Sequence, residues 1–271
     1  MKNLFRAVRR YLTMLALLTS SRYSRENGWY VERANVRIAL ENLIDFLTVY
    51  DLYARNHYKP LEAAAVPGSV LWDIGANLGT TSLIFAQNPK VSHIYAYEPV
   101  PQTIAYAMRS LRLNPDLSPK ITLESLGIGS CDGDLNVNFT GKAKCAIGIS
   151  DMPPAIKMLG RVKQSDLEVI TIRLVDAAQV LLAIRSRHPD ARILLKLDAE
   201  GAEYQIVDRL IETGAINEIA AAAIEWHLSP GEKYITSRLH DAGFQTRATS
   251  LENDGSTGMI DAWRGSPGFR L

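Results

Sequence analysis

Cysteine is scarce in this sequence: there are two in 271 residues, Cys131 and Cys145. Two cysteines cannot build a disulfide scaffold, and these two lack the spacing of a metal-ligand pair. Both are expected to be reduced thiols, as in a reducing compartment. Net charge is scarce too. Lysine and arginine total 30 against 29 acids, a formal charge of +1. That balance leaves no electrostatic footprint for nucleic acid or for a strongly acidic partner. The apolar run near the start, Tyr11 to Leu18, falls far short of the roughly 20 residues that span a bilayer.

Acid is missing from one end of the chain. Lys2, Arg6, Arg9, Arg10, Arg22 and Arg25 all precede the first acid, Glu26. A basic start and a short apolar core resemble a signal peptide, but Thr19-Ser20-Ser21 make a poor cleavage site. Two readings carry more weight. One is a helix that packs its leucines on the main domain. The other is a basic amphipathic helix lying on anionic lipid. The expected location is the cytoplasm, with peripheral contact to the inner membrane surface as the second expectation.

What is present is an ordinary globular composition, 47% hydrophobic and 22% charged, which suits one large α/β domain with an extension. Ile38, Leu43, Ile44, Leu47 and Val49 fall close to helical spacing, so residues 1–68 are expected to form an N-terminal, mostly helical extension. Pro60 and Pro67-Gly68 punctuate its end. Residues 69–271 then alternate short apolar runs with helical stretches. Strands are expected at Ser69–Ile74, His93–Tyr97, Ile121–Glu124, Ile193–Leu197 and Ile219–Ile224. The alternation predicts a mostly parallel, doubly wound, Rossmann-like sheet. Phe244–Thr249 and Gly258–Trp263, joined by a polar turn, predict an antiparallel strand pair at the C-terminal end. Residues 141–168, with Pro153-Pro154, read as an insertion or lid.

In such a sheet, ligands bind beyond the carboxyl ends of the strands, where strand order reverses. The first strand ends in Asp73-Ile74-Gly75-Ala76-Asn77-Leu78-Gly79. Gly75 permits a tight turn and close backbone approach, and Gly79 opens a helix whose free N–H groups face the ligand. Asp73 can accept hydrogen bonds from a cationic amine. The second strand ends in Tyr97-Glu98-Pro99, and an acid there is placed to accept both ribose hydroxyls. A dinucleotide oxidoreductase, the competing enzyme class, should show G-x-G-x-x-G. Here Asn77 stands where the second glycine would let a pyrophosphate approach. A cofactor without a pyrophosphate fits better.

These segments, with Leu113-Asn114, Lys196-Leu197-Asp198-Ala199-Glu200-Gly201-Ala202-Glu203 and Glu225-Trp226-His227, resemble the FkbM-type methyltransferase family. The resemblance implies a class I methyltransferase fold and methyl transfer from S-adenosylmethionine, usually to an oxygen of a sugar or natural product. It implies that Asp73, Gly75, Ala76, Asn77 and Gly79 form the cofactor loop and that Glu98, with Pro99, holds the ribose. Asn114 would close the helix after the second strand, and Gly127-Ile128-Gly129-Ser130 would line the adenine. Ser130 departs from the acid or amide that often stands there in the family. The acceptor, a glycan, glycolipid or small natural product, does not transfer by resemblance. A methyltransferase-like domain that binds without catalysing is the remaining alternative.

Methyl transfer to an alcohol needs the acceptor held in line and its proton removed. Asp198 and Glu225 end adjacent strands on the edge that carries the loop. His227, whose ordinary pKa lies near neutrality, is the expected general base. Asp198 and Glu225 are expected to orient the acceptor or to bind Mg²⁺ through their oxygens. Glu200 is read as a turn acid that bonds backbone amides, and Glu203 as an acid favoured at a helix start.

Overall fold

The computed structural model describes residue 12 and residues 14–140, 167–251 and 255–265. The insertion expected at 141–168 lies almost wholly outside the described residues, as does Cys145; Cys131 is an exposed free thiol.

The N-terminal segment corrects the sequence reading. Residues 14–20 are helical, but the next stretch forms three antiparallel strands, β1 (Ser21–Ser24), β2 (Gly28–Arg33) and β3 (Val36–Ala39). Ala34 and Asn35, both at positive φ, make the two-residue turn between β2 and β3. Val36 and Ile38 are buried either side of exposed Arg37, a period of two that the helical spacing of the following residues had absorbed. The expected helix begins later, as α1 (Leu43–Arg55). Asn42 caps it, accepting the Ile44 and Asp45 N–H groups at 2.8 and 3.0 Å. A short helix, α2 (Lys59–Ala63), leads into the main sheet.

That sheet is built from β4 (Ser69–Ile74), α3 (Thr80–Ala86), β5 (Val91–Tyr97), α4 (Pro101–Leu113) and β6 (Ile121–Glu124). A small side sheet follows: β7 (Gly127–Gly129), β8 (Gly133–Phe139) and β9 (Glu168–Asp176). The chain then returns through α5 (Ala177–Arg187), β10 (Ile193–Leu197), α6 (Glu203–Glu212), β11 (Ile219–His227), α7 (Glu232–Asp241), β12 (Gln245–Ser250) and β13 (Thr257–Trp263). The strand order is β12-β13-β11-β10-β4-β5-β6. All pairs are parallel except those made by β13, which runs antiparallel to both neighbours. This is the Rossmann-like class I methyltransferase arrangement with its antiparallel C-terminal strand.

Both faces of the central strands are covered, as an unbroken apolar run requires. Val70, Trp72 and Ile74 pack with Leu181 and Ile184 of α5 and Ile206 of α6. Leu71 points the other way, into a cluster with Leu61 and Phe85. A third cluster joins Leu17, Val31, Val36, Ile38, Phe46 and Val49 to Leu78 and Leu83, in the loop after β4 and in α3. Asn114 ties the same parts together. Its Oδ1 accepts the Arg37 N–H at 2.9 Å and its Nδ2 donates to the Arg37 carbonyl at 2.6 Å, so it serves β3 as a neighbouring strand would. Strand order reverses between β4 and β10, and the candidate site lies at their carboxyl ends.

Candidate active site

The loop after β4 has the shape its glycines allow. Gly75, Asn77 and Gly79 all sit at positive φ, +78°, +50° and +78°. The Gly75 and Ala76 N–H groups donate to the Tyr97 carbonyl at 3.0 and 2.9 Å, which folds the loop over the end of β5. A Cβ on Gly75 would stand 1.8 Å from the Asp198 carbonyl oxygen, so only glycine fits there. Gly79 begins α3 against Ala107 of α4.

Asp73 is fully buried, and its Oδ2 accepts the Ser82 hydroxyl at 2.6 Å. Its Oδ1 makes no hydrogen bond and lies 3.4 Å from Lys196 Nζ. Asn77 Oδ1 is likewise buried without a hydrogen-bond partner. Asn77 Oδ1, without a hydrogen bond, suits a ligand that brings an N–H or O–H donor, while Asp73 Oδ1 is already ion-paired with Lys196. Glu98 is buried at the end of β5, with Oε2 accepting the Asn77 N–H and Oε1 the Val100 N–H, each at 3.0 Å. Burial pushes its pKa up to about 7 against the opposing pull of those two amides. Gly127 and Ile128 are buried in β7, and a Cβ on Gly127 would meet Pro99 Cβ at 3.3 Å. The expected adenine segment therefore stands beside Glu98-Pro99.

The ends of β10 and β11 carry the other half of the site. The Asp198 N–H donates to the Ile74 carbonyl at 3.2 Å, joining this half to the cofactor loop. Asp198, Glu225 and His227, expected together from the sequence, are brought together. His227 Nε2 stands 3.8 Å from Glu225 Oε1, and Asp198, Glu200 and His227 each offer one ligand atom within 4.8 Å of the other two.

Three residues at this site carry more than the sequence reading gave them. Glu203 has a side chain with no exposure; it accepts the Ala199 and Gly201 N–H groups at 2.8 and 2.9 Å and pairs with His227 Nδ1 at 2.9 Å. It takes the amide-bonding role expected of Glu200. Glu200 instead turns toward the histidine, its Oε2 at 3.8 Å from Nε2, from a backbone at φ +51°. Lys196, buried at the end of β10, donates to the carbonyls of Ile74 and Gly75 and pairs with Asp73 and Asp198 at 3.4 Å each. A lysine inside an otherwise apolar strand was the available signal, because a buried charge must be paired.

The electrostatics are those of crowded acid. Burial raises Glu225 to about 8, with Asp198 adding repulsion. Glu200 lies well above the ordinary carboxylate value, again through burial. Burial works to lower the His227 pKa, but Glu200 and Glu203 outweigh it and hold the ring well above its usual value. For Lys196 the penalty of burial is likewise outweighed, by Asp198 and Asp73.

The family profile described as the methyltransferase FkbM domain matches residues 73–246. The hexuronic acid methyltransferase AglP of Haloferax volcanii is 26% identical over 220 residues, covering 80% of this chain and 81% of that protein. Among solved structures, an FkbM methyltransferase from Methylobacillus flagellatus KT aligns with 94% of this chain and 59% of its own, at 15% identity and a TM-score of 0.44. The magnesium protoporphyrin IX methyltransferase ChlM of Synechocystis PCC 6803 covers 83% of this chain and 87% of its own, at 11% identity and a TM-score of 0.44.

Proposed function

Since the chain belongs to the FkbM methyltransferase family and is an S-adenosylmethionine-dependent methyltransferase, we propose that it methylates a hydroxyl oxygen of a sugar, free or lipid-linked. The observation that carries this reading is the join between the two halves of the site. The Asp198 amide rests on the Ile74 carbonyl, so a cluster able to handle an alcohol stands directly beside the cofactor loop. The sugar-acid substrate in the name of the Haloferax relative supports a glycan acceptor.

When bound, S-adenosylmethionine supplies a methyl group on a cationic sulfur, and the sulfur keeps the bonding electron pair as the methyl passes to the acceptor oxygen. Glu98 fits the ribose, with its carboxylate already oriented by two amides. Asn77 fits a donor of the methionine end through its side-chain oxygen, which has no hydrogen-bond partner, and Asp73 through a carboxylate shared with Lys196 and Ser82. Asp198, Glu225 and His227 are the proposed groups that orient the acceptor and receive its hydroxyl proton. Glu200 and Glu203 favour the charged form of His227, which works against the expected base role. The reading includes a divalent cation, expected from the sequence as Mg²⁺ on Asp198 and Glu225.

The test is incubation with labelled S-adenosylmethionine and acidic or neutral oligosaccharides. Label should enter the sugar as an alkali-stable methyl ether. Asp198→Asn should abolish transfer while leaving S-adenosylhomocysteine affinity within about threefold. Label recovered in carboxyl esters would refute O-methylation of a hydroxyl.

A second reading concerns location. We propose that the N-terminal segment rests on the anionic inner face of a membrane. Leu12, Leu15 and Leu18 are exposed on the helical stretch, and so are Tyr23, Trp29 and Leu43 just beyond it. The basic residues of this segment complement anionic lipid. No helix among the described residues is long and apolar enough to cross a membrane.

A further inference from the structure

We propose that Asp198, Glu200 and His227 form a divalent-cation site of the Mn²⁺ class, with His227 Nε2 and one oxygen from each carboxylate as ligands. The proposal rests on the methyltransferase reading and replaces the expected Glu225 ligand with Glu200 and His227.

Distance comes first. The three ligand atoms lie within 4.8 Å of one another. Two ligands at about 2.1–2.2 Å from one cation are about 3–4.4 Å apart, depending on the angle between them. Closing the site draws a ligand pair in by up to about 0.4 Å where the two lie opposite each other and by up to about 1.8 Å where they are adjacent.

His227 supplies an independent reason. It is 8% exposed, and its two ring nitrogens are treated differently. Nδ1 is held at 2.9 Å by Glu203, whose carboxylate is itself fixed by the Ala199 and Gly201 amides. A carboxylate on one imidazole nitrogen is the arrangement that orients a metal-binding histidine and raises its basicity. Nε2 makes no hydrogen bond. It points among acids, with Glu200 Oε2 and Glu225 Oε1 each at 3.8 Å, too far to bond directly. Carboxylate oxygens at 3.8 Å from this ring edge leave room for an ion between them.

Charge points the same way. Asp198, Glu200, Glu203 and Glu225 converge here, and the cationic side chains beside them are His227 and Lys196. An acidic sugar entering such a site would be repelled. A divalent ion would reverse that, offering open coordination positions to the acceptor's oxygens. Glu225, outside the ligand set, then remains free to receive the hydroxyl proton. One imidazole nitrogen with two carboxylate oxygens suits Mn²⁺ better than Mg²⁺, which prefers an all-oxygen shell and sheds water reluctantly.

The experiment uses full-length protein stripped of metal by chelation. Mn²⁺ is titrated while free Mn²⁺ is read by electron paramagnetic resonance, and S-adenosylhomocysteine binding is measured on the same samples. One saturable site is expected, with nitrogen hyperfine coupling in the bound spectrum. Glu200→Gln and His227→Gln should each weaken Mn²⁺ at least tenfold, and His227→Gln should remove the coupling. Glu203→Gln should weaken it about 10–100-fold. Glu225→Gln should leave it within about threefold. Absence of saturable binding in protein that still binds S-adenosylhomocysteine would overturn the site. So would Mn²⁺ affinity unchanged by Glu200→Gln and His227→Gln, and Mg²⁺ competing at equal concentration would overturn the stated metal class. Loss of S-adenosylhomocysteine binding with Mn²⁺ binding intact would instead count against the cofactor reading.

Discussion

Glu98 should make cofactor affinity depend on pH in the range where most carboxylates are inert. Burial holds its carboxyl near 7 in the free protein, and the ribose hydroxyls need the ionised form as acceptor. With a pKa of about 7, about one molecule in eleven is ionised at pH 6 and about ten in eleven at pH 8. S-adenosylhomocysteine should therefore bind about tenfold more weakly at pH 6 than at pH 8, or about 1.4 kcal/mol. Titration calorimetry in buffers of different ionisation enthalpy gives a second readout. Binding should release about 0.9 proton at pH 6 and about 0.1 at pH 8. Glu98→Gln should bind more weakly, with proton release and pH dependence both gone. The same carboxyl acts on stability with a fixed sign. Its pKa is raised in the folded state, so the unfolded chain ionises first, and stability falls as pH rises from 4.5 through about 7. That contribution amounts to about 3 kcal/mol at most, and Glu98→Gln should flatten the slope of melting temperature against pH. Proton release at pH 6 that is absent, or unchanged in Glu98→Gln, would refute the reasoning.

Three further perturbations test other parts of the structure. Gly75→Ala meets the Asp198 carbonyl and a positive φ together; it should cost more than the about 1–3 kcal/mol of backbone strain alone and abolish S-adenosylhomocysteine binding, as read by thermal melts with and without ligand. Lys196→Met leaves Asp73 and Asp198 without their buried cation; a loss of about 3–5 kcal/mol in denaturant unfolding is expected, and a change below about 1 kcal/mol would show that the pair is not stabilising. Leu15→Ser with Leu18→Ser and Trp29→Ser changes exposed side chains only; sedimentation with phosphatidylserine vesicles should fall several-fold with melting temperature unchanged, and equal binding by the variant would sink the membrane reading.

The sheet was legible because its central strands are buried on both faces and read as unbroken apolar runs between helical stretches. The shape of the loop after β4 was legible because positive φ and close approach restrict the choice of residue at Gly75 and Gly79. Residues 21–39 were not. Their strands are four to six residues long, too short for alternation to stand out, and the apolar positions of α1 continue the series from Ile38 at helical spacing. The roles of Glu200 and Glu203 were hidden for another reason. Both flank a sharp turn, and either could have bonded its amides. Only the fold brings His227 against one of them, 24 residues along the chain. Asn114 was expected at a helix end and is found there, but its second task, holding β3, depends on a strand the sequence did not disclose.

The apolar cluster that joins Leu17, Val36, Ile38 and Phe46 to Leu78 and Leu83 bears on what the family-matched part of the chain can do alone. The family match begins at residue 73, yet the far side of the cofactor loop is covered by side chains that come earlier. Each of those fully buried residues contributes about 2 kcal/mol by leaving water. A protein cut back to the family boundary would present Leu78 and Leu83 to solvent at the moment it needs the loop between them and Gly75 to be rigid. The leading residues are therefore the back wall of the loop after β4, and any engineering that cuts them away removes a wall rather than a tail.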